Sequence, residues 1–174
     1  MTIKTLRDSM RGIATRECGW LWLPLALALV AADQVSKGWI ELHYRLGDST
    51  PVFFWLDITR LHNPGAAFSF LAGAGGWQRW VFTALALLVS ALLLVWLRTL
   101  HARRDGLLAA ALTLVMAGAV GNVIDRIEHG YVVDFIHVHW QHAYFPAFNI
   151  ADASITVGAA LLIGDAILDW RRNR

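Results

Sequence analysis

The stretch Leu107-Leu108-Ala109-Ala110-Ala111-Leu112-Thr113-Leu114-Val115-Met116-Ala117-Gly118-Ala119-Val120-Gly121-Asn122-Val123-Ile124 carries no charge, and Asp125-Arg126 follows at once. A hydrocarbon core about 30 Å thick takes roughly 20 residues of helix to cross. In lipid the backbone polar groups must be satisfied within the element itself, which a helix does and four strands too few to close a barrel cannot. The stretch therefore reads as a membrane span, 107–124, with an ionisable pair at its end. Three others share its character: about Gly19 to Ile40, interrupted by Asp33 and Lys37; Trp80 to Leu97; and about Ile150 to Leu168.

Composition agrees. Of 174 residues, 57% are hydrophobic and 16% charged, and mean hydropathy is +0.49. Counting Gly, the apolar share is about 65%, where soluble domains average roughly 45–50%. A soluble globule is excluded, and so are disordered, fibrous and disulfide-scaffold classes, since there is one Cys and Gly has no period. The pI near 9.0 invites a nucleic-acid reading. However, the net charge is only +2 and the bases are scattered over loops, so no nucleic-acid partner is expected. With no internal repeat or low-complexity linker, residues 1–174 read as one domain. It comprises a cytoplasmic leader over 1–18 and spans at about 19–40, 80–97, 107–124 and 150–168.

Ten of the 15 Lys and Arg residues fall on one side: Lys4, Arg7, Arg11 and Arg16; Arg98, Arg103 and Arg104; and Arg171, Arg172 and Arg174. Positive charge marks the cytoplasmic face, so both termini and the middle link are predicted inside. Trp20, Trp22, Trp96 and Trp170 then mark the inner interface, and Trp39, Trp77 and Trp80 the outer. A cleaved signal peptide would also explain the basic leader and Ala31-Ala32. Three further spans favour an uncleaved start signal instead. Cys18 lies on the reducing side without a nearby base, as a structural residue.

Pro51 to His62 and Tyr131 to Trp140 are rich in Val, Ile and aromatics and read as short strands of a small extracytoplasmic sheet. The Gly/Ala-rich run from Gly65 to Gly76 reads as a mobile loop or short interfacial helix. The predicted fold is thus an all-α membrane protein: four transmembrane helices with a small extracytoplasmic β-sheet and a short outer loop or helix.

Ionisable groups in spans are costly and mark function. Asp33, Lys37, Asn122, Asp125, Arg126, Asn149 and Asp152 all fall at outer span ends, and Asp134 sits in the link between spans three and four. Asp165 and Asp169 fall at the inner end beside Arg171 and Arg172, as interface charges. Asp33 and Lys37, four apart, suit either a helix salt bridge or substrate binding. Arg126 could simply neutralise Asp125. Asn149 and Asp152 resemble an N-cap with an acid at N3, where the helix dipole favours the ionised form. Asp134 lies among Val132, Val133, Phe135 and Ile136, which favour the protonated form. Such a pair suits general acid and base chemistry. His137, His139 and His142 read as loop histidines, since no zinc pattern such as H-E-x-x-H completes them. Ser36 and Lys37, being adjacent, point about 100° apart on a helix and make a poor dyad. No nucleophile elbow, P-loop or dinucleotide fingerprint occurs, so no metal or cofactor is expected.

Together the motifs have a pattern. Asp33-Gln34-Val35-Ser36-Lys37, Asn63-Pro64-Gly65-Ala66-Ala67-Phe68, Gly121-Asn122-Val123-Ile124-Asp125-Arg126, Val132-Val133-Asp134-Phe135 and Phe148-Asn149-Ile150-Ala151-Asp152 resemble, in order, the five conserved blocks of the lipoprotein (type II) signal peptidases. These are bacterial membrane aspartic proteases. The resemblance covers nearly the whole chain except the leader, which is longer than expected. It implies cleavage of a prolipoprotein signal peptide just before a diacylglyceryl-modified Cys. It implies Asp134 and Asp152 as the catalytic dyad, with Asn63, Gly65, Asn122, Arg126 and Asn149 positioning substrate or supporting the site. Asp33, Lys37 and Asp125 join them as supporting groups. It also implies inhibition by the cyclic peptide globomycin. A monomer in the bacterial inner membrane is expected, in contact with lipid and with its site near the outer face.

Two rival classes make different predictions. An ion-coupled transporter would spread its acids through the bilayer and often carry an inverted repeat. A structural subunit held by small residues such as Ala117 to Gly121 would leave Asp125, Asp134 and Asp152 unexplained.

Overall fold

A computed structural model describes residues 18–65, 75–141 and 143–174. Lys4, Arg7, Arg11 and Arg16 of the leader, the loop residues 66–74 and His142 lie outside the described residues. A 3-10 turn, Gly19–Trp22, leads into α1 (Leu23–His43); β1 (Ser49–Phe53) and β2 (Leu56–Asn63) follow. Then come α2 (Trp77–Thr99), α3 (Gly106–Glu128), β3 (Val132–Trp140), β4 (Ala143–Tyr144) and α4 (Ile150–Arg172). All four helices are long and apolar enough to cross a membrane, each containing its predicted span or, for the first, most of it.

The third span is the central one. Within its most apolar 18-residue window α3 is 61% buried, against 17% for each of the others. It packs on α1, α2 and α4, and the outward faces of α2 and α4 carry exposed Leu, Val and Ile such as Leu85, Leu92, Val157 and Ile163. A helix apolar on its outer face suits lipid contact. Small residues let the backbones meet, as in many membrane bundles. Gly118 lies against the Ala151 carbonyl, and a Cβ on Gly121 would come 2.7 Å from Asp33 Oδ2. On Gly158 it would come 2.8 Å from the Ala111 carbonyl oxygen, whereas Gly164 has nothing within 4 Å. Gly158→Ala is therefore expected to cost about 1–3 kcal/mol through overpacking. Gly164→Ala should be neutral or slightly stabilising; thermal unfolding of both variants in detergent checks the contrast.

Local chemistry sets the ends. Pro24 occupies the first turn of α1, where a missing N–H costs nothing. Gly130 takes φ 84°, turning the chain from α3 into β3 beside the Arg79 guanidinium. At the opposite end of the bundle, Trp22 Nε1 donates to the Ala102 carbonyl at 3.0 Å and the Cys18 thiol lies 3.2 Å from the Arg98 carbonyl. Arg172 and Asp169 approach to 3.8 Å there.

The sheet is antiparallel, in the order β1-β2-β3-β4. The single strand predicted over Pro51 to His62 is a hairpin, turning at Phe54-Trp55. Aromatic residues run straight through that turn, so no Gly or Asn betrays it. β3 matches its prediction within a residue, and the short β4 was not expected. His137 and His139 are strand residues of β3 and not loop residues: His139 stacks on Tyr144 and His137 lies tilted against it, and His139 Nε2 lies 3.3 Å from Asp57 Oδ1. Val133 and Phe135 of β3 bury with Ile40 of α1, and Ile150 packs against them. That cluster seats the sheet on the bundle. It brings Asp134 to the helix ends.

Candidate active site

α1 places Asp33 and Lys37 one turn apart, and their salt bridge is made, with Lys37 Nζ 2.7 Å from Asp33 Oδ2. The same ammonium lies 2.9 Å from Asp125 Oδ2 of α3. All three side chains are at most 3% exposed. The expectation that Arg126 neutralises Asp125 is thus corrected: Lys37 and Gln34 take the Asp125 carboxylate, Gln34 Nε2 donating to Oδ1 at 2.9 Å. Arg126 instead donates to the Gly65 carbonyl at 3.1 Å and to the Asn122 carbonyl at 3.3 Å. Gln34, quoted within the first motif but not singled out, also bonds the Gly121 carbonyl.

Three asparagines carry the network outward, and each has one end fixed so that its amide must face a carboxylate. Asn122 Oδ1 accepts from Lys37 Nζ at 3.3 Å. A lysine ammonium can only donate, so Asn122 Nδ2 points the other way and donates to Asp152 Oδ1 at 2.7 Å. Asn149 Oδ1 accepts from the Asp152 backbone N–H at 2.9 Å, the predicted N-cap of α4. Its Nδ2 then donates to Asp134 Oδ1 at 2.8 Å. Asn63 Oδ1 accepts from the Gly65 N–H at 3.0 Å, and its Nδ2 donates to Asp134 Oδ2 at 3.1 Å. The ten residues singled out from the sequence thus form one connected cluster.

Asp134 lies in β3, outside the spans. Burial, and then the neighbouring charge of Asp152, push its carboxyl up to about 7, against the pull of the Asn63 and Asn149 amides. Among the described residues no group of three or more His, Cys, Asp or Glu could hold a metal ion.

Two cavities meet here. One of about 800 Å³ runs between α2 and α4 over α3, lined by Phe82, Leu85, Val89, Val115 and Ile155, with Asn63, Asn122, Arg126 and Asp152 among its polar groups. A smaller one of about 320 Å³ is lined by His62, His137 and Asp134, and shares Asn63, Pro146 and Ala147 with the first. An apolar groove with a few convergent polar groups is what a ligand with an apolar body requires.

A family model described as signal peptidase (SPase) II matches residues 25–168. The chain belongs to the signal peptidase II family. Lipoprotein signal peptidase of Shewanella woodyi is 49% identical over 152 residues, 87% of this chain and 86% of that protein. The Acinetobacter baumannii protein of the same name is 50% identical over 145 residues, 83% of this chain and 82% of that one. A solved structure described as a bacterial membrane enzyme, determined by the in meso method at 2.3 Å resolution, superposes with TM-score 0.79 at 34% identity. The match covers 87% of this chain and 90% of that one. As a member of this family the chain is a peptidase, and its four apolar helices make it a multi-pass membrane protein.

Proposed function

We propose that this signal peptidase II is a membrane aspartic endopeptidase that removes the signal peptide from diacylglyceryl-modified prolipoproteins, cutting just before the lipid-modified Cys. One observation carries the reading: the network ends on two carboxylates, Asp152 in the wall of an apolar cavity between membrane helices and Asp134 in that of the smaller cavity adjoining it. Apolar segments of the substrate fit the groove between α2 and α4, while its peptide backbone reaches the polar end. Arg126, Asn63 and Asn122 line that end and supply donors for substrate carbonyls.

The two carboxyls hold one proton between them, because two charges at close range in a buried site repel. Asp152, as the ionised member, takes a proton from a water, whose oxygen attacks the scissile carbonyl carbon. Asp134, as the protonated member, donates a hydrogen bond to the oxygen on which charge develops. Collapse of the tetrahedral species breaks the C–N bond, and the proton taken from water passes to the leaving amine.

This mechanism sets a pH dependence. The singly protonated pair persists up to about pH 7, where Asp134 titrates. Above that both members ionise, so kcat is expected to fall about tenfold per pH unit on the alkaline side. A profile still rising through pH 8 to 9 would contradict it.

Arg98, Arg103 and Arg104, with Arg171 and Arg172, stand at the end of the bundle opposite the sheet. This supports cytoplasmic termini and a site at the outer face of the bacterial inner membrane. Incubating purified protein with a lipid-modified prolipoprotein, with and without globomycin, tests the reading. Shortening blocked by globomycin supports it; no shortening by folded protein counts against it.

A further inference from the structure

Lys37 lines neither cavity, yet it is nearly fully buried between Asp33 and Asp125. Each of those carboxylates has a second partner on the backbone. Asp33 Oδ1 accepts from the Ala151 N–H at 2.8 Å, and Asp125 Oδ2 accepts from the Val133 N–H at 3.0 Å. Ala151 immediately precedes Asp152, and Val133 immediately precedes Asp134. One ammonium therefore holds two carboxylates, and each carboxylate holds the backbone N–H of the residue immediately before one member of the proposed dyad. The same ammonium reaches Asn122 Oδ1 and so aims the Asn122 amide at Asp152.

We infer that Lys37 is a positioning residue for both aspartates, setting the separation of the two carboxyls through Asp33 and Asp125 without touching substrate. The inference rests on the dyad reading above and deepens it. Structural and positioning roles differ in what they move. A lysine serving only to neutralise buried charge would, if lost, lower stability and leave kcat of the folded fraction unchanged. A positioning lysine lowers kcat and spares KM, because a misplacement on the scale of 1 Å costs about 100-fold in rate. Its charge also reaches Asp134, which is faced by Asp152 from α4, Arg126 from α3, Lys37 from α1 and the Asn63 and Asn149 amides. The Lys37 charge favours the ionised form of Asp134.

The test measures kcat, KM, the pH profile and thermal unfolding of Lys37→Met and Lys37→Arg on a lipid-modified prolipoprotein. Folded Lys37→Met is expected to lose at least about 100-fold in kcat with KM within about threefold, and its alkaline limb should move to higher pH. Lys37→Arg keeps the charge, but its wide planar fork cannot sit where a point charge sat between two carboxylates. It is expected to fold and to lose at least about tenfold in kcat, with the alkaline limb where it is in the wild type. Should Lys37→Met fail to fold, Lys37→Arg decides alone. Wild-type kcat in either folded variant, or a loss confined to KM, overturns the inference. The dyad reading fails separately, if Asp134→Asn or Asp152→Asn still turns over.

Discussion

Asp134→Asn and Asp152→Asn, each made alone, are expected to lower turnover at least about 1,000-fold while the protein still folds in detergent. An amide matches a carboxylate in shape but cannot accept the proton of the attacking water, nor share one with its neighbour. The folding cost differs between the two. Both oxygens of Asp134 accept from asparagine amides, so an Asn there turns its own NH2 group against a donor. About 1 kcal/mol of stability is expected to go with that clash. Asp152 has one oxygen on the Asn122 amide, which the carbonyl of an Asn can replace. The signature is therefore two equally inactive variants with unequal melting temperatures. Near wild-type kcat in either one would falsify the dyad.

Asn149→Ala carries the second large effect, because one fully buried side chain performs three tasks. It caps α4, fixes the Asp134 carboxyl and donates to the side-chain Oδ1 of Asn122 at 3.3 Å. Loss of the cap costs about 0.5–2 kcal/mol. Loss of the amide leaves Asp134 short of a donor and free to turn, with an expected drop in kcat of about 100-fold. Asn149→Asp separates the tasks. It keeps an acceptor for the Asp152 N–H, so the cap survives, but it sets a third carboxyl against Asp134. That variant is expected to keep the cap yet melt below the wild type, because its carboxyl faces acceptors on Asp134, Asn122 and Val133, and to remain inactive. If Asn149→Asp restored activity along with stability, Asn149 would be a cap and nothing more.

Much of this was legible in the chain because lipid is an unforgiving solvent. Four apolar runs could only be helices, and every polar group at their outer ends demanded a reason. The i, i+4 spacing of Asp33 and Lys37 and the cap at Asn149 are local, and order along the chain offers the ion pair and the cap among its readings. What escaped was contact between elements. Asp125 and Arg126 are neighbours in sequence, yet Asp125 is taken by Lys37 and Gln34 across from α1, and Arg126 turns to Gly65. Gln34 went unremarked because an uncharged residue beside two charged ones gives no signal until its amide is seen between two carboxylates. The hairpin at Phe54-Trp55 was hidden by aromatic residues that look alike in a strand and in a turn.

The most direct test of the whole account is the position and lipid dependence of the cut. Purified protein in lipid should be given the same prolipoprotein with and without its diacylglyceryl group, and the products weighed by mass spectrometry. The account predicts a single cut just before the modified Cys, with the unmodified precursor left intact. Equal cleavage of both precursors, a cut elsewhere, or no product from folded protein would contradict it.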